Sequence, residues 1–228
     1  IASLVEGSLR SPYNELSRNQ VNDMLKHFIE SHKEFLGVYV AFEPDAFDGR
    51  DAAFRNARGH DSTGRFIPYW TRGDRGKGNL EALVDYEKKG AGDYYQVPKE
   101  TGKETILDPY KYEIQGEEVL LTSVVVPLFN SKNDFIGIAG IDLSLKDISS
   151  MISDINVYDT GYVTLYSHGG YVVGSRDKQY MGKVINDITQ SKVLIQKIKS
   201  DTEFFLKRFS DIIKKDVYTY GIPAEIGN

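Results

Sequence analysis

The sequence has no cysteine, which excludes disulfides, thiolate metal sites and a cysteine nucleophile together. It also lacks any apolar run near the roughly 20 residues that a membrane span needs. Residues from Ile1 onward do not read as a secretory leader. Basic charge is not concentrated: 28 Lys and Arg face 33 Asp and Glu, for a net charge of −5. Nucleic acid requires a dense basic surface, so it is not an expected partner.

Catalytic signatures are missing as well. None of the Gly-Lys pairs at 76–77, 102–103 and 182–183 has the earlier glycine that a phosphate loop requires. His-Glu-x-x-His, Gly-x-Ser-x-Gly and EF-hand patterns do not occur. His27, His32, His60 and His168 are scattered along the chain and are read as structural. Neither a metal nor a cofactor is expected, and the chain is not expected to be an enzyme. Gly73-Asp-Arg-Gly-Lys-Gly78 has the composition of an anion loop, but no strand-to-helix frame surrounds it, and it reads as a surface turn.

What is present is a chain of 228 residues, 27% charged and 40% hydrophobic. That suits one large folded domain or two small ones. Aromatics are unevenly chosen, with 15 Tyr and 11 Phe against one Trp; tyrosine serves both half-buried sheet faces and ligand sites.

Ile1, Leu4, Val5 and Leu9 have helical spacing, and Ser11-Pro12 reads as the cap of a second helix. Its stripe of Val21, Met24, Leu25, Phe28 and Ile29 carries it to about Phe35. Strands are expected over 36–42 and 65–71, separated by a polar insertion over 45–64, with Pro68 marking an edge or bulge. A short helix is expected over Leu80–Lys88, then an antiparallel meander of three strands over 105–114, 119–129 and 135–143. A helix over 145–155 opens a second, smaller unit with a hairpin around His168-Gly-Gly170. That unit continues with a helix near 190–200 and two strands near 202–209 and 216–222. The two halves form a loose repeat of helix followed by antiparallel sheet, and both chain ends read as cut.

Aromatics concentrate between Tyr69 and Tyr112, and one acid follows them. Tyr69-Trp70 end a strand, Tyr94-Tyr95 follow a Gly-rich turn, and Tyr110 and Tyr112 share a strand face. Asp142 closes Phe135-Ile-Gly-Ile-Ala-Gly-Ile-Asp142, where Gly137 and Gly140 leave room for something to approach. A buried carboxylate needs a partner, and aromatic faces attract cations, so this set suits an ammonium group. Equally open is that Asp142 caps the helix starting near Ser144 and that the aromatics fill the sheet.

Five blocks then occur in order: Gly64-Arg-Phe-Ile-Pro-Tyr-Trp70, Asp93-Tyr-Tyr-Gln-Val-Pro98, Asp108-Pro-Tyr110, Leu121-Thr-Ser-Val-Val-Val-Pro127 and Phe135-Ile-Gly-Ile-Ala-Gly-Ile-Asp-Leu-Ser-Leu145. Together they resemble the double Cache (dCache) sensor domains of prokaryotic chemoreceptors and sensor histidine kinases. The resemblance covers nearly the whole chain and is strongest over 36–145. It implies an α+β fold: a long N-terminal helix carrying two stacked PAS-like modules, each an antiparallel sheet flanked by helices. The segments would be a helical 1–35, a membrane-distal ligand module 36–144 and a membrane-proximal module 145–228. It further implies an extracytoplasmic location, transmembrane helices on both sides and a homodimer in the full-length receptor.

In amino-acid-binding members an Arg two residues before an aromatic grips the ligand carboxylate, while a Tyr and the last-strand Asp hold its amino group. Tyr94, Tyr110 and Asp142 match that pattern, but Gly92 stands where the Arg is expected. Unless Arg65, Arg72 or Arg75 substitutes, a ligand carboxylate has no bidentate partner. The resemblance therefore favours a small amine or betaine-like ligand over an amino acid, with Tyr69, Trp70, Tyr95 and Tyr112 completing the site. An amino-acid or carboxylate sensor of the same fold is the alternative, followed by an uncatalogued enzyme or a ligand-free dimerisation module.

Overall fold

The computed structural model describes residues 2–10, 16–72, 77–200 and 202–224. These fall into two compact units. The first comprises Ile1–Leu107, Tyr112–Val119 and Ser123–Leu143; the second comprises Asp108–Lys111, Leu120–Thr122 and Ser144–Asn228. The architecture is α+β, with antiparallel sheets and few helices.

In the first unit, α1 (Ala2–Arg10) precedes α2 (Arg18–Ser31). The second helix starts at a capping box. The Ser17 amide donates to Gln20 Oε1 at 2.8 Å, and the Gln20 amide donates back to Ser17 Oγ at 3.3 Å. That places its start after the expected Ser11-Pro12, which lies outside the described residues. It also ends at Ser31, short of Phe35, because His32 leaves the helical backbone region and its ring stacks on Phe28 at 4.3 Å. The stripe of Val21, Leu25 and Ile29 is fully buried, worth roughly 1.5–3 kcal/mol per side chain.

The sheet is built from β1 (Gly37–Phe42), β2 (Pro68–Arg72), β3 (Gly78–Ala82), β4 (Thr105–Ile106), β5 (Tyr110–Ile114), β6 (Glu117–Phe129) and β7 (Phe135–Ser144). Its order is β3-β2-β1-β7-β6-β4, with β5 also on β6. Two expectations fail here. The start of Leu80–Lys88 is not helical: Gly78–Ala82 pairs antiparallel with Pro68–Arg72, and the turn after it passes through Asp85 at φ 61. The helix of this region comes later, as α3 (Asp93–Thr101). Pro68 opens an internal strand rather than an edge, since β2 is flanked by β1 and β3.

Strand alternation gives this sheet two faces. Val38, Val40, Phe42, Trp70 and Ala139 pack with the α2 stripe, Phe47, Phe66 and Leu128 in one apolar core. The register Tyr39↔Tyr69, Tyr39↔Gly140 and Gly37↔Asp142 puts the tyrosines and the acid on the other face.

The second unit opens with α4 (Leu145–Ser153), whose Asp147 amide donates to Ser144 Oγ at 3.3 Å. It continues with β8 (Thr164–Tyr166), β9 (Val172–Ser175), α5 (Lys192–Ile198), β10 (Phe204–Ser210) and β11 (Lys215–Gly221). Instead of the single expected sheet, the described residues form two separate pairs, β8-β9 and β10-β11. Leu121, Leu145, Val172, Val173, Ile185 and Leu194 are its buried apolar residues among those described.

Candidate functional site

On the face opposite α2, four tyrosines form a closed circuit. Tyr39 comes from β1, Tyr69 from β2, Tyr94 from α3 and Tyr112 from β5. Successive ring centroids are 5.8 Å (Tyr39–Tyr69), 5.8 Å (Tyr69–Tyr112), 6.0 Å (Tyr112–Tyr94) and 5.8 Å (Tyr94–Tyr39) apart. Each ring is nearly perpendicular to its neighbours, at 76° to 89°. This is edge-to-face packing, and it is also how the four walls of a box meet.

Glycines shape the walls. A Cβ on Gly140 would fall within the Tyr39 ring, and one on Gly37 within the Tyr69 ring. The space expected at Gly140 for an approaching molecule is therefore filled by Tyr39. Gly137 faces the backbone of Ala41 and Phe42 at φ +155, so it serves the strand crossing and not the site. The phenol ends are anchored as well. Tyr94 donates to the Val84 carbonyl at 2.6 Å, and the Val84 amide donates to Tyr112 Oη at 3.1 Å. Burial foremost pushes the Tyr112 phenol up to about 12.

Asp142 stands at the Tyr69 side of the circuit. Tyr69 Oη donates to Oδ2 at 2.6 Å and Ser123 Oγ donates to Oδ1 at 2.6 Å. The carboxylate is 3% exposed. Burial raises its pKa to about 6, against the two hydrogen bonds, which lower it. Among the described residues no cation is paired with it. It does not cap α4, because Ser144 does. Chemically this is a desolvated anion beside aromatic rings, an arrangement that stabilises an organic cation.

The remaining expected site residues lie elsewhere. Trp70 points to the helix side: its Nε1 donates to Asn22 Oδ1 at 2.9 Å and Lys26 Nζ lies 6.0 Å from the ring centroid. Alternation along β2 puts Arg72 on that side too. Tyr110 groups with the second unit. Arg75 lies outside the described residues, as does most of 73–78.

Arg65 and Tyr95 form a separate cluster. The guanidinium lies 4.6 Å from the Tyr86 centroid and 4.9 Å from the Tyr95 centroid. It donates to the Phe42 carbonyl and to Tyr95 Oη, and pairs with Glu43 at 3.4 Å. Tyr95 donates to Glu43, and Lys99 pairs with Glu43 at 2.8 Å. Burial works against these partners, which together hold the Glu43 carboxyl below its usual value. Arg65 is thus committed within the protein.

Tyr39 and Ser123 are the residues that sequence reasoning missed. Tyr39 carried a signal, as the one polar-tipped residue in Gly37–Phe42; Ser123 follows another hydroxyl residue, Thr122, and did not stand out.

An antiparallel sheet with a helix on one face and a circuit of tyrosine rings on the other is the fold of a Cache-type sensor domain. Residues 21–150 match the family described as methyl-accepting chemotaxis protein-like, first PDC sensor domain. The chain belongs to that family. It is 31% identical over 181 residues to the methyl-accepting chemotaxis protein TlpQ of Pseudomonas aeruginosa, covering 73% of this chain and 25% of that protein. The chain thus spans about a quarter of that relative's length. Its fold matches the extracellular domain of the putative histidine kinase mmHK1S-Z3 with a TM-score of 0.83 at 32% identity, over 96% of this chain and 79% of that one. A more distant fold relative is the ligand-binding domain of the P. aeruginosa amino acid chemoreceptor PctC in complex with GABA, at a TM-score of 0.57 and 12% identity. That match covers 95% of this chain and 79% of that one. The chain is accordingly a sensor domain of the kind carried by chemoreceptors and sensor histidine kinases. Among the described residues no helix is long and apolar enough to cross a membrane.

Proposed function

We propose that the first unit senses a small organic amine, held between the four tyrosines with its ammonium against Asp142. The observation that carries this reading is a carboxylate buried to 3% exposure with two neutral donors and no paired cation among the described residues. Charges in that position are costly until a counter-ion arrives, and the ligand supplies it.

The same reading favours an amine without an α-carboxylate. Arg65 is engaged by Glu43, Tyr95 and the Phe42 carbonyl, and Gly92 stands where the family's arginine is expected. An amino acid would leave its carboxylate without a bidentate partner. An amino-acid ligand is the second reading, since PctC, a fold relative, is an amino acid chemoreceptor solved with GABA. In the longer protein, ligand bound in this membrane-distal unit would bias a helix-linked equilibrium across the membrane in a receptor dimer.

Thermal shift followed by calorimetry tests the proposal with putrescine, choline, glycine betaine, GABA and L-arginine. At 100 times its Kd a true ligand adds about 2.7 kcal/mol of stability. Amines lacking a carboxylate should bind, and Asp142→Asn should weaken them by about a hundredfold. Unchanged amine affinity in Asp142→Asn, or binding confined to the amino acids, overturns the assignment.

A further inference from the structure

The four tyrosine walls are not held alike. Tyr39 and Tyr69 stand on β1 and β2, each strand paired on both sides within the sheet. Moving either of them means breaking ladder hydrogen bonds. Tyr94 and Tyr112 stand on α3 and β5, and both phenols fasten to one residue outside any helix or strand. That residue is Val84, whose carbonyl accepts from Tyr94 Oη at 2.6 Å and whose amide donates to Tyr112 Oη at 3.1 Å. Val84 is 49% exposed, whereas Tyr39, Tyr69 and Tyr94 are 1% exposed, and Tyr112, at 8%, is the most exposed wall. The circuit is shut as it stands, and Val84 is where its fastening meets the surface.

Segment 83–86 carries Val84 from β3 towards the turn before α3. The Leu83 amide donates to the Ile67 carbonyl at 3.0 Å. Asp85, at φ 61, takes a left-handed conformation that aspartate tolerates better than most residues. Beyond it the chain is tied down through Tyr86, whose Oη donates to Asp61 Oδ2 at 2.5 Å and whose carbonyl accepts from Gln96 Nε2 at 2.6 Å. Asp61 is itself fixed, on the insertion between β1 and β2. Its Oδ1 accepts from the Thr63, Gly64 and Arg65 amides at 2.8, 3.0 and 3.0 Å, and from Thr63 Oγ1 at 2.7 Å. Burial opposes ionisation of this carboxyl, but its Tyr86 and Thr63 donors outweigh it and hold the pKa below the usual value. The acceptor is therefore charged at neutral pH, which strengthens the bond from Tyr86.

We propose that Asp61 and Tyr86 are positioning residues of the amine site, and that their hydrogen bond is the latch on its entrance. Neither belongs to the circuit; they act through Val84. With the latch made, Tyr94 and Tyr112 keep their common anchor. With it released, segment 83–86 swings outward and those two walls are free to part, while Tyr39 and Tyr69 stay on the sheet. The ligand that passes rests on the amine reading; the latch itself does not. The bond is made whether the site is empty or filled, so weakening it speeds entry and escape together and leaves their ratio, the affinity, nearly unchanged. A residue that touched the ligand would change that ratio.

Stopped-flow binding of putrescine tests it, with Tyr86→Phe and Asp61→Asn compared with the parent. Tyr86→Phe keeps the ring beside Arg65 and Tyr95 and removes the donor. In both variants association and dissociation should each quicken by about tenfold or more, with Kd within about threefold of the parent. Thr63→Ala removes a hydrogen bond to the other oxygen of Asp61 and should keep the parent rates. In the ligand-free protein the Val84 amide should exchange about tenfold faster in Tyr86→Phe, while the β1 and β7 amides stay the same. Unchanged rates, an equal rise in Thr63→Ala, a change confined to Kd, or unchanged exchange at Val84 overturns the proposal. If putrescine does not bind the parent, the amine reading fails, and exchange at Val84 decides the latch by itself.

Discussion

Tyr94 and Tyr95 are neighbours on α3, yet they enter two different carboxylate environments. Tyr95 reaches Glu43, which Arg65 and Lys99 already neutralise. Tyr94 joins the tyrosine circuit beside Asp142, which accepts from Tyr69 and Ser123. Aromatic rings, burial and a carboxylate are common to both. The presence of a protein cation is the difference, and it sets opposite pKa directions: Glu43 lowered, Asp142 raised to about 6. The first cluster is charge-balanced as it stands. The second has no paired cation among the described residues, which is why the proposed ligand is assigned to it.

The largest effect should come from breaking the complete cluster. Arg65→Ala strips the Phe42 carbonyl of its side-chain donor, removes a cation from between two rings and leaves Glu43 with Lys99 as its cation partner and Tyr95 as its donor. A loss of about 3–5 kcal/mol is expected in denaturant unfolding. Amine affinity in the folded fraction should not change. A loss of affinity without loss of stability would make Arg65 a ligand residue after all.

Next is the pH dependence, where the two carboxylates pull in opposite senses. A raised pKa means the folded state binds more protons than the unfolded one. Stability from Asp142 is therefore fully present below 3.8 and is lost as pH rises towards about 6, on the order of 3 kcal/mol. Glu43, with its pKa lowered from 4.5, contributes stability above that value and loses it as pH falls. Asp142→Asn should remove the first slope and keep the second, read as the difference between unfolding curves at pH 4 and pH 7. In the intact protein, amine affinity should climb over the same interval as the carboxylate ionises. A flat affinity profile would separate the amine from Asp142.

The contrast between the clusters was half legible in the sequence. Asp142 stood out because a carboxylate ended an apolar strand, and Tyr94 and Tyr112 fell in the aromatic concentration. The partition of neighbours was not legible, because it depends on strand alternation and helix phase. One residue separates Tyr69 from Trp70 and sends them to opposite faces of the sheet. Arg65 was a free candidate until its partners Glu43, Tyr86 and Tyr95, drawn from three other segments, were seen to enclose it. At the level of fold, the α2 stripe and the β5-β6-β7 segments were readable from periodicity. The strand Gly78–Ala82 was not, since its identity comes from pairing with Pro68–Arg72 and not from its own residues.

A smaller effect is expected from the glycines that seat the rings. In Gly140→Ala the new methyl meets the Tyr39 ring, so the ring must shift or the strand must move. Overpacking of this kind costs about 1–3 kcal/mol, and amine binding should weaken with it because Tyr39 is one wall. Gly116→Ala is the control in the opposite sense: nothing lies within 4 Å of its Cβ, and only its φ of +80 opposes the change. It should lose about 1 kcal/mol and keep its affinity.

The smallest expected change separates what a tyrosine does as a wall from what it does as a donor. Tyr94→Phe keeps the ring against Tyr39 and Tyr112 but removes the hydrogen bond to the Val84 carbonyl. Stability should fall by about 1 kcal/mol, the usual net value of one such bond. A cation is attracted by the face of either ring, so amine affinity should stay within about threefold of the parent by calorimetry. Tyr94→Leu fills similar space without a π-face and should lose more affinity than Tyr94→Phe does. Equal losses in the two variants would mean that the phenol oxygen, through its hold on Val84, is what matters. The circuit of rings would then be packing, and Asp142 would have to recognise its ligand without it.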